Sequence, residues 1–194
     1  MNSDTGIKTK TEFLNPIDCL LYSLIKVGCP FLKRIKFTPN LITLTSLIFS
    51  LTGIYLFYIQ KYLILGVVFL FSGYLFDCWD GYFARKYNLV TRFGDYFDHI
   101  SDSIKFFAFI YVLYKLRINN KHFIKYLLII SFFALGVIVQ TGCEEKIYNK
   151  TSEGESIKIT KNFCPDSKMI KFTRFFGPAT LNIVLSVIIV IYRK

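Results

Sequence analysis

Five apolar runs of about twenty residues each, at roughly 40–60, 63–82, 94–116, 123–140 and 175–192, alternate with polar breaks along the 194-residue chain. Runs of that length span a bilayer as helices. The breaks are short at Lys61, 86–93 and Arg117–His122, and long at 142–171. Ahead of the first run, Asn15-Pro16 is a helix start, with Asn15 as cap and Pro16 at the first helical position. The segment that follows, 14–37, mixes apolar residues with Lys26, Lys33, Arg34 and Lys36, and Gly28 and Pro30 interrupt it. It reads as an interfacial amphipathic helix, broken at those two residues and not a span. Residues 1–12 read as a disordered polar tail. The pattern therefore predicts an all-α fold: a polytopic membrane helix bundle of about five transmembrane helices over 39–192, after an N-terminal interfacial helix, in one domain covering 1–194.

Composition agrees. Hydrophobic residues make up 53% of the chain and mean hydropathy is +0.43, too apolar for an ordinary soluble domain. The net charge of +11 is spread between the apolar runs, so the expected partners are anionic lipid head groups and not nucleic acid. No cleavable signal peptide is expected, because no short apolar stretch with a cleavage site follows the polar start. Of five scattered cysteines, Cys19, Cys29 and Cys78 read as packing residues. Cys143 and Cys164, which flank one loop, are expected to stay unpaired. No metal-ligand cysteine spacing is present. With the N-terminus in the cytoplasm, sixteen Lys or Arg fall on the inner side and seven on the outer. That bias opens the 77–102 region to the cytoplasm, which in a eukaryotic cell means the cytoplasmic face of the endoplasmic reticulum.

The exception to the apolar pattern is Asp77–Asp102, DCWDGYFARKYNLVTRFGDYFDHISD, with its run of aspartates at the edge of two spans. An acidic residue at membrane depth costs roughly 2.5–3.5 kcal/mol. Helical spacing puts Asp77, Asp80, Gly81 and Ala84 on one stripe, and Asp98 and Asp102 one turn apart on a second helix. An antiparallel pair would bring four carboxylates together. They would repel one another unless hard divalent cations such as Mg²⁺ or Mn²⁺, two of them a few Å apart, relieved the charge. Gly81, Ala84 and Gly94 leave room for a nucleotide, and Arg85 can meet a phosphate bidentately. Asp95 reads as a surface residue facing water, and His99 as a packing histidine. Lys105 shares the face of Asp98 and Asp102, and pairing with the carboxylates or holding a substrate phosphate are its two readings.

The spacing Asp77-x2-Asp80-Gly81-x2-Ala84-Arg85-x8-Gly94-x3-Asp98-x3-Asp102 resembles the signature of the CDP-alcohol phosphatidyltransferases at all eight fixed positions. The resemblance implies an integral membrane enzyme that transfers a substituted phosphate from a CDP-alcohol to the hydroxyl of a second alcohol and releases CMP. It would make Asp77, Asp80 and Asp98 metal ligands, and Asp102 both the base and a further metal ligand. Gly81, Ala84 and Arg85 would form part of the CDP site. The Pro-Asn-x2-Thr start of the first span also resembles this family, where Asn40 and Thr43 would lie near the nucleotide. Ser46, Ser50 and Gly53, on the same stripe, read as helix-packing residues. The family usually has six spans and packs as a homodimer, whereas five spans are counted here.

The alcohols are less determined. Asn-Pro-Ile-Asp before Thr-Pro-Asn, the short chain and Thr91-Arg92-Phe93-Gly94 resemble enzymes that use CDP-diacylglycerol and a polar acceptor, such as the phosphatidylinositol and phosphatidylglycerophosphate synthases. Phe97-Asp98-His99 and Asp102-Ser103 resemble the choline/ethanolamine phosphotransferases, which use a CDP-amino alcohol and diacylglycerol. The first reading is preferred. Lys161, Lys171 and Arg174 are candidates, near the mouth of the site, for an acceptor that carries phosphate or several hydroxyls. A divalent-cation transporter would account for the aspartates but not for Gly-x2-Ala-Arg between them.

Overall fold

The structure is a computed structural model and describes residues 6–7, 10–116, 120–147 and 158–191. These form helices and short 3₁₀ turns, with no strand among the described residues. The helices are α1 (Pro16–Arg34), α2 (Pro39–Tyr58), α3 (Leu63–Lys86), α4 (Arg92–Lys115), α5 (Asn120–Ile147), the single turn α6 (Ile170–Thr173) and α7 (Pro178–Ile191).

Local chemistry sets the helix starts. Asn15 and Thr38 each precede a proline at the first helical position, and their side-chain oxygens accept from the amides of Ile17 and Leu41. Thr91 caps α4 by accepting from Gly94 N at 3.0 Å. Between α3 and α4 the chain turns through Asn88, which takes a left-handed conformation at φ 54°. Asparagine tolerates that region better than most residues.

Among the described residues, four segments are long and apolar enough to cross a membrane: Pro39–Tyr58, Leu63–Lys86, His122–Ile147 and Ile170–Ile191. The fifth expected span, α4, is 24 residues long but carries Arg92, Asp95, Asp98, Asp102, Lys105 and Lys115. Its charged residues do not all face lipid, because Asp77 and Ser46 on neighbouring helices take up Lys105.

The helices pack at unusually small separations. A Cβ on Gly53 would lie 2.6 Å from the carbonyl oxygen of Gly66, and one on Gly73 would lie 2.1 Å from Ser50 Oγ. Lipid tails are as apolar as leucine, so helices in a bilayer associate through close contact of this kind and not through hydrophobic burial. The α2/α3 seam is therefore the frame of the bundle, and α4 lies along α2. Contacts at one end (Thr43 with Asp80, Asn40 beside Gly94, Gln140 with Thr173) show that the long helices alternate in direction and gather the motif at that end. At the other end Phe57, Phe109, Leu113, Ile130 and Ile189 form a core, with the rings of Phe57 and Phe109 stacked at 5.7 Å.

Several expectations need correction. The α1 helix is continuous through Gly28 and Pro30. Gly28 does not break it but admits Trp79 of α3, whose ring would lie 2.3 Å from a Cβ there. The fourth span does not stop at Gln140: α5 runs on to Ile147. Within the long polar stretch, 148–157 lies outside the described residues, and 3₁₀ turns cover Lys158–Phe163 and Ser167–Met169. Cys143 and Cys164, expected to stay unpaired, form a disulfide. The backbone of Thr160 rests directly on Gly142, where a Cβ would meet its carbonyl oxygen at 2.2 Å, and this brings the two cysteines together. The expected disordered tail falls partly outside the described residues. Of the rest, Gly6 packs on the ring of Tyr82 and its carbonyl accepts from Arg85 Nε at 2.9 Å.

Helix α1 is tied to α3 by a hydrogen bond from the Tyr74 hydroxyl to Asp18 Oδ1 at 2.6 Å. Burial pushes the Asp18 carboxyl up to about 6, and the Tyr74 bond opposes this only in part. The folded chain thus holds a proton that the unfolded chain has released by pH 4. The stability from this group is complete below about pH 4 and is lost as pH rises towards 6. Asp18→Asn keeps an acceptor for Tyr74 and cannot ionise. Thermal unfolding in detergent between pH 4 and 7 should lose this component in the variant, and an unchanged profile would reject it.

Candidate active site

The site stands where α2, α3 and α4 meet at the motif end of the bundle. Helix α3 presents Asp77 and Asp80 one turn apart, and α4 presents Asp98 and Asp102 one turn apart. Oxygens of Asp77, Asp80 and Asp98 come within 4.8 Å of one another, and a second group of the same span holds Asp98, His99 and Asp102. The convergence expected from the spacing is thus present in the fold.

Each carboxylate has a different set of partners. Asp80 is buried and accepts from Thr43 Oγ1 at 2.6 Å. Asp77 Oδ1 accepts from Lys105 Nζ at 2.6 Å and from Ser46 Oγ at 3.3 Å. Asp102 Oδ1 lies 2.7 Å from Lys105 Nζ, and its side chain is half exposed. Among the described residues, Asp98 Oδ1 is buried with no hydrogen-bond partner. Leaving a charged oxygen buried and unmatched costs a few kcal/mol. A ligand that supplies positive charge at that position would remove the cost. The donors are all hard oxygens, which suits Mg²⁺ or Mn²⁺ and disfavours thiophilic metals.

The other sequence candidates divide into two groups. Asn40 borders Gly94: its Oδ1 lies 3.0 Å from where a Cβ on that glycine would stand. Thr43 is bound to Asp80, so both residues of the Pro-Asn-x2-Thr start belong to the site's wall. Gly81 lies one residue beyond Asp80, on the stripe that it shares with Asp77 and Ala84. Arg85 does not join the carboxylates. Its guanidinium folds over Gly81, 3.1 Å from a would-be Cβ, and bonds to Gly6. Lys161, Lys171 and Arg174 do not line the cavity beside the aspartates. Arg174 instead donates to the carbonyl of Glu12, stacks on Phe175 at 4.8 Å and offers its own carbonyl to Asn15.

Sequence reasoning passed over three residues. Ser46 reads as a packing residue but bonds Asp77 and Lys105. Its place three residues after Thr43, on the same polar stripe, is the signal that marks it. His99 reads as a packing histidine, yet its ring is grouped with Asp98 and Asp102, and Nε2 lies 3.6 Å from Asp95 Oδ1. Tyr74, one turn before Asp77, lines the cavity. Nothing in its apolar neighbourhood distinguishes it.

That cavity has a volume of about 450 Å³. Asp77, Asp102 and Lys105 form its polar end, and residues such as Phe106, Val137 and Leu181 from α4, α5 and α7 form its apolar walls. Charge meets grease within one continuous space. An amphiphile with a phosphorylated head and a hydrocarbon tail matches that profile.

Comparison with known proteins agrees with this geometry. A family model described as CDP-alcohol phosphatidyltransferase matches residues 36–192. A CDP-diacylglycerol–glycerol-3-phosphate 3-phosphatidyltransferase of Rickettsia typhi is 42% identical over 71 residues, which is 36% of this chain and 40% of that protein. One of the same name from Rickettsia felis is 39% identical over 82 residues, 41% of this chain and 45% of its own length. An archaetidylinositol phosphate synthase of Pyrococcus horikoshii is 30% identical over 73 residues, 38% of each chain. This chain therefore spans less than half the length of these relatives. No solved structure matches it. With the signature complete, Asp77 and Asp102 at the head of an apolar cavity and the family's model covering 36–192, the chain belongs to the CDP-alcohol phosphatidyltransferase family.

Proposed function

We propose that this protein transfers a phosphatidyl group from CDP-diacylglycerol to the hydroxyl of a small polar alcohol and releases CMP, at the cytoplasmic face of a membrane. The observation that carries the reading is the clustering of Asp77, Asp80 and Asp98, with Asp98 also grouped with Asp102, beside a cavity whose polar end Asp77 and Asp102 form and whose walls are apolar. The names of the Rickettsia relatives support diacylglycerol on the donor, and the Rickettsia and Pyrococcus names together favour an acceptor that carries a phosphate.

Asp77, Asp80 and Asp98 would hold a divalent ion. When bound, it would offset the charge on the CDP diphosphate and on the departing CMP. The remaining work belongs to the chain. Thr43 fixes the Asp80 carboxylate by donating to Oδ2, and Ser46 does the same for Asp77 Oδ1. Asn40, Gly81, Ala84 and Gly94 form the surface against which the cytidine and its phosphates rest. The cavity takes up the hydrocarbon and orients the donor phosphorus towards α4. Asp102, the most exposed of the four, receives the proton of the incoming hydroxyl as its oxygen attacks phosphorus. Displacement is direct, with no covalent enzyme intermediate. Lys161, Lys171 and Arg174 have no place in this scheme.

A CMP-release assay on purified protein tests the reading. CDP-diacylglycerol is paired in turn with glycerol phosphate, inositol phosphate, inositol and serine, and CDP-choline and CDP-ethanolamine are each paired with diacylglycerol, all with Mg²⁺ or Mn²⁺. Chelator-sensitive release with CDP-diacylglycerol and a phosphorylated acceptor is the expected result. Release only from the CDP-amino alcohols would put the lipid on the acceptor side. Folded protein that neither releases nor binds CMP would reject the chemistry and return the cation-transit reading.

A further inference from the structure

The Lys105 ammonium is wedged between two of the four carboxylates. Lys105 lies one turn after Asp102 on α4, and its side chain is only 15% exposed. Its Nζ reaches Asp77 Oδ1 at 2.6 Å, Asp102 Oδ1 at 2.7 Å and Ser46 Oγ at 3.3 Å. An ammonium has three protons, and here each has an acceptor. The site therefore divides into two parts that share Asp77. In the first, Asp77, Asp80 and Asp98 offer oxygens within 4.8 Å of one another, and Asp98 Oδ1 takes no hydrogen bond among the described residues. In the second, Asp77 and Asp102 are already bridged by a positive charge carried on the chain.

We propose that Lys105 is the built-in second cation of this site, so that the chain binds one divalent ion tightly, on Asp77, Asp80 and Asp98, and not two. The inference rests on the metal-dependent reading given above and refines it. A divalent ion needs its oxygens at about 2.0–2.2 Å and repels an ammonium bound to the same atoms. A second ion between Asp77 and Asp102 would have to expel Lys105 from three acceptors into an apolar cavity wall. Lysine also suits the chemistry at this position. A fixed positive charge beside Asp102 faces the same phosphate that a second metal would face, and it needs no filling from solution. It also stops Asp77 and Asp102 from driving each other apart.

Mn²⁺ titration followed by electron paramagnetic resonance tests this on the full chain in detergent, without reference to turnover. The wild type should bind one Mn²⁺ per chain in the micromolar range and show the spectrum of an isolated ion. Lys105→Met should bind two, with the broadened spectrum of a pair a few Å apart, and Lys105→Arg should return to one. Two equally tight ions in the wild type would overturn the proposal, as would a single ion in Lys105→Met. The wild-type count decides the matter even if the methionine variant does not fold. No tight Mn²⁺ in the wild type would overturn the metal reading itself, a result distinct from binding two.

Discussion

Replacing Asp98 with asparagine is expected to lower CMP release by about 10³-fold while making the metal-free protein more stable. The two effects have one source. Asp98 Oδ1 is buried beside Asp77 and Asp80 without a hydrogen bond among the described residues, so that oxygen adds repulsion and no bond. Asparagine is nearly isosteric, removes one negative charge and can donate its amide to a neighbouring carboxylate. In chelator the variant should melt a few degrees higher, as a gain of about 1 kcal/mol shifts a chain of this size by ~2–4 °C. Catalysis moves the other way. Stabilisation of transition-state charge by a bound metal is worth several kcal/mol, and every ~1.4 kcal/mol is tenfold in rate. A packing aspartate would lose stability and keep its rate. Release within tenfold of wild type, or a lower melting temperature in chelator, would therefore reject the ligand role of Asp98.

The same residue shows why the site was legible in the sequence. Carboxylates spaced three and four apart at the edges of apolar runs can only be turned towards one another, and the x8 linker between Arg85 and Gly94 is too short for anything but an antiparallel return. Periodicity fixes that much. It does not fix where a long flexible side chain ends. Arg85 has the spacing of a phosphate ligand, yet Gly6, some eighty residues earlier, takes its Nε. Arg174 likewise turns one donor, Nη1, to the carbonyl of Glu12 in the N-terminal segment. Charge pattern along one helix carries no trace of such partners. The disulfide was hidden for a related reason. Its two cysteines are 21 residues apart, and packing of the 158–164 turn on α5, with Thr160 resting on Gly142, closes the distance. Helix α1 was misread because proline and glycine count as breakers in isolation. Here Pro30 sits in the last turns of a helix held against α3, and Gly28 is the slot for Trp79.

Gly73 supplies the contrasting prediction: Gly73→Val should cost both fold and activity. The residue lies on α3 one turn before Asp77, where the helix packs directly on α2. A Cβ would stand 2.1 Å from Ser50 Oγ, 2.9 Å from Ser50 N and 3.0 Å from Ser46 O. A hydroxyl can rotate away, but two of the three contacts are backbone, so the helices themselves must separate. Overpacking of this kind costs about 1–3 kcal/mol where side chains can shift, and the upper end applies here because they cannot. The displacement falls on Ser46 and Asp77, joined at 3.3 Å, and one turn further on Thr43 and Asp80, joined at 2.6 Å. A 1 Å misplacement of reacting groups lowers rates by about 10²-fold. CMP release should fall at least that far, and the melting temperature should drop by several degrees. Adding Ser50→Ala to Gly73→Val separates the causes, because it removes the hydroxyl clash and keeps both backbone contacts. It should regain only part of the lost stability. Full recovery would place the strain in the Ser50 hydroxyl alone, and the α2/α3 backbone contact would then not be what holds Asp77 and Asp80 in register with Asp98.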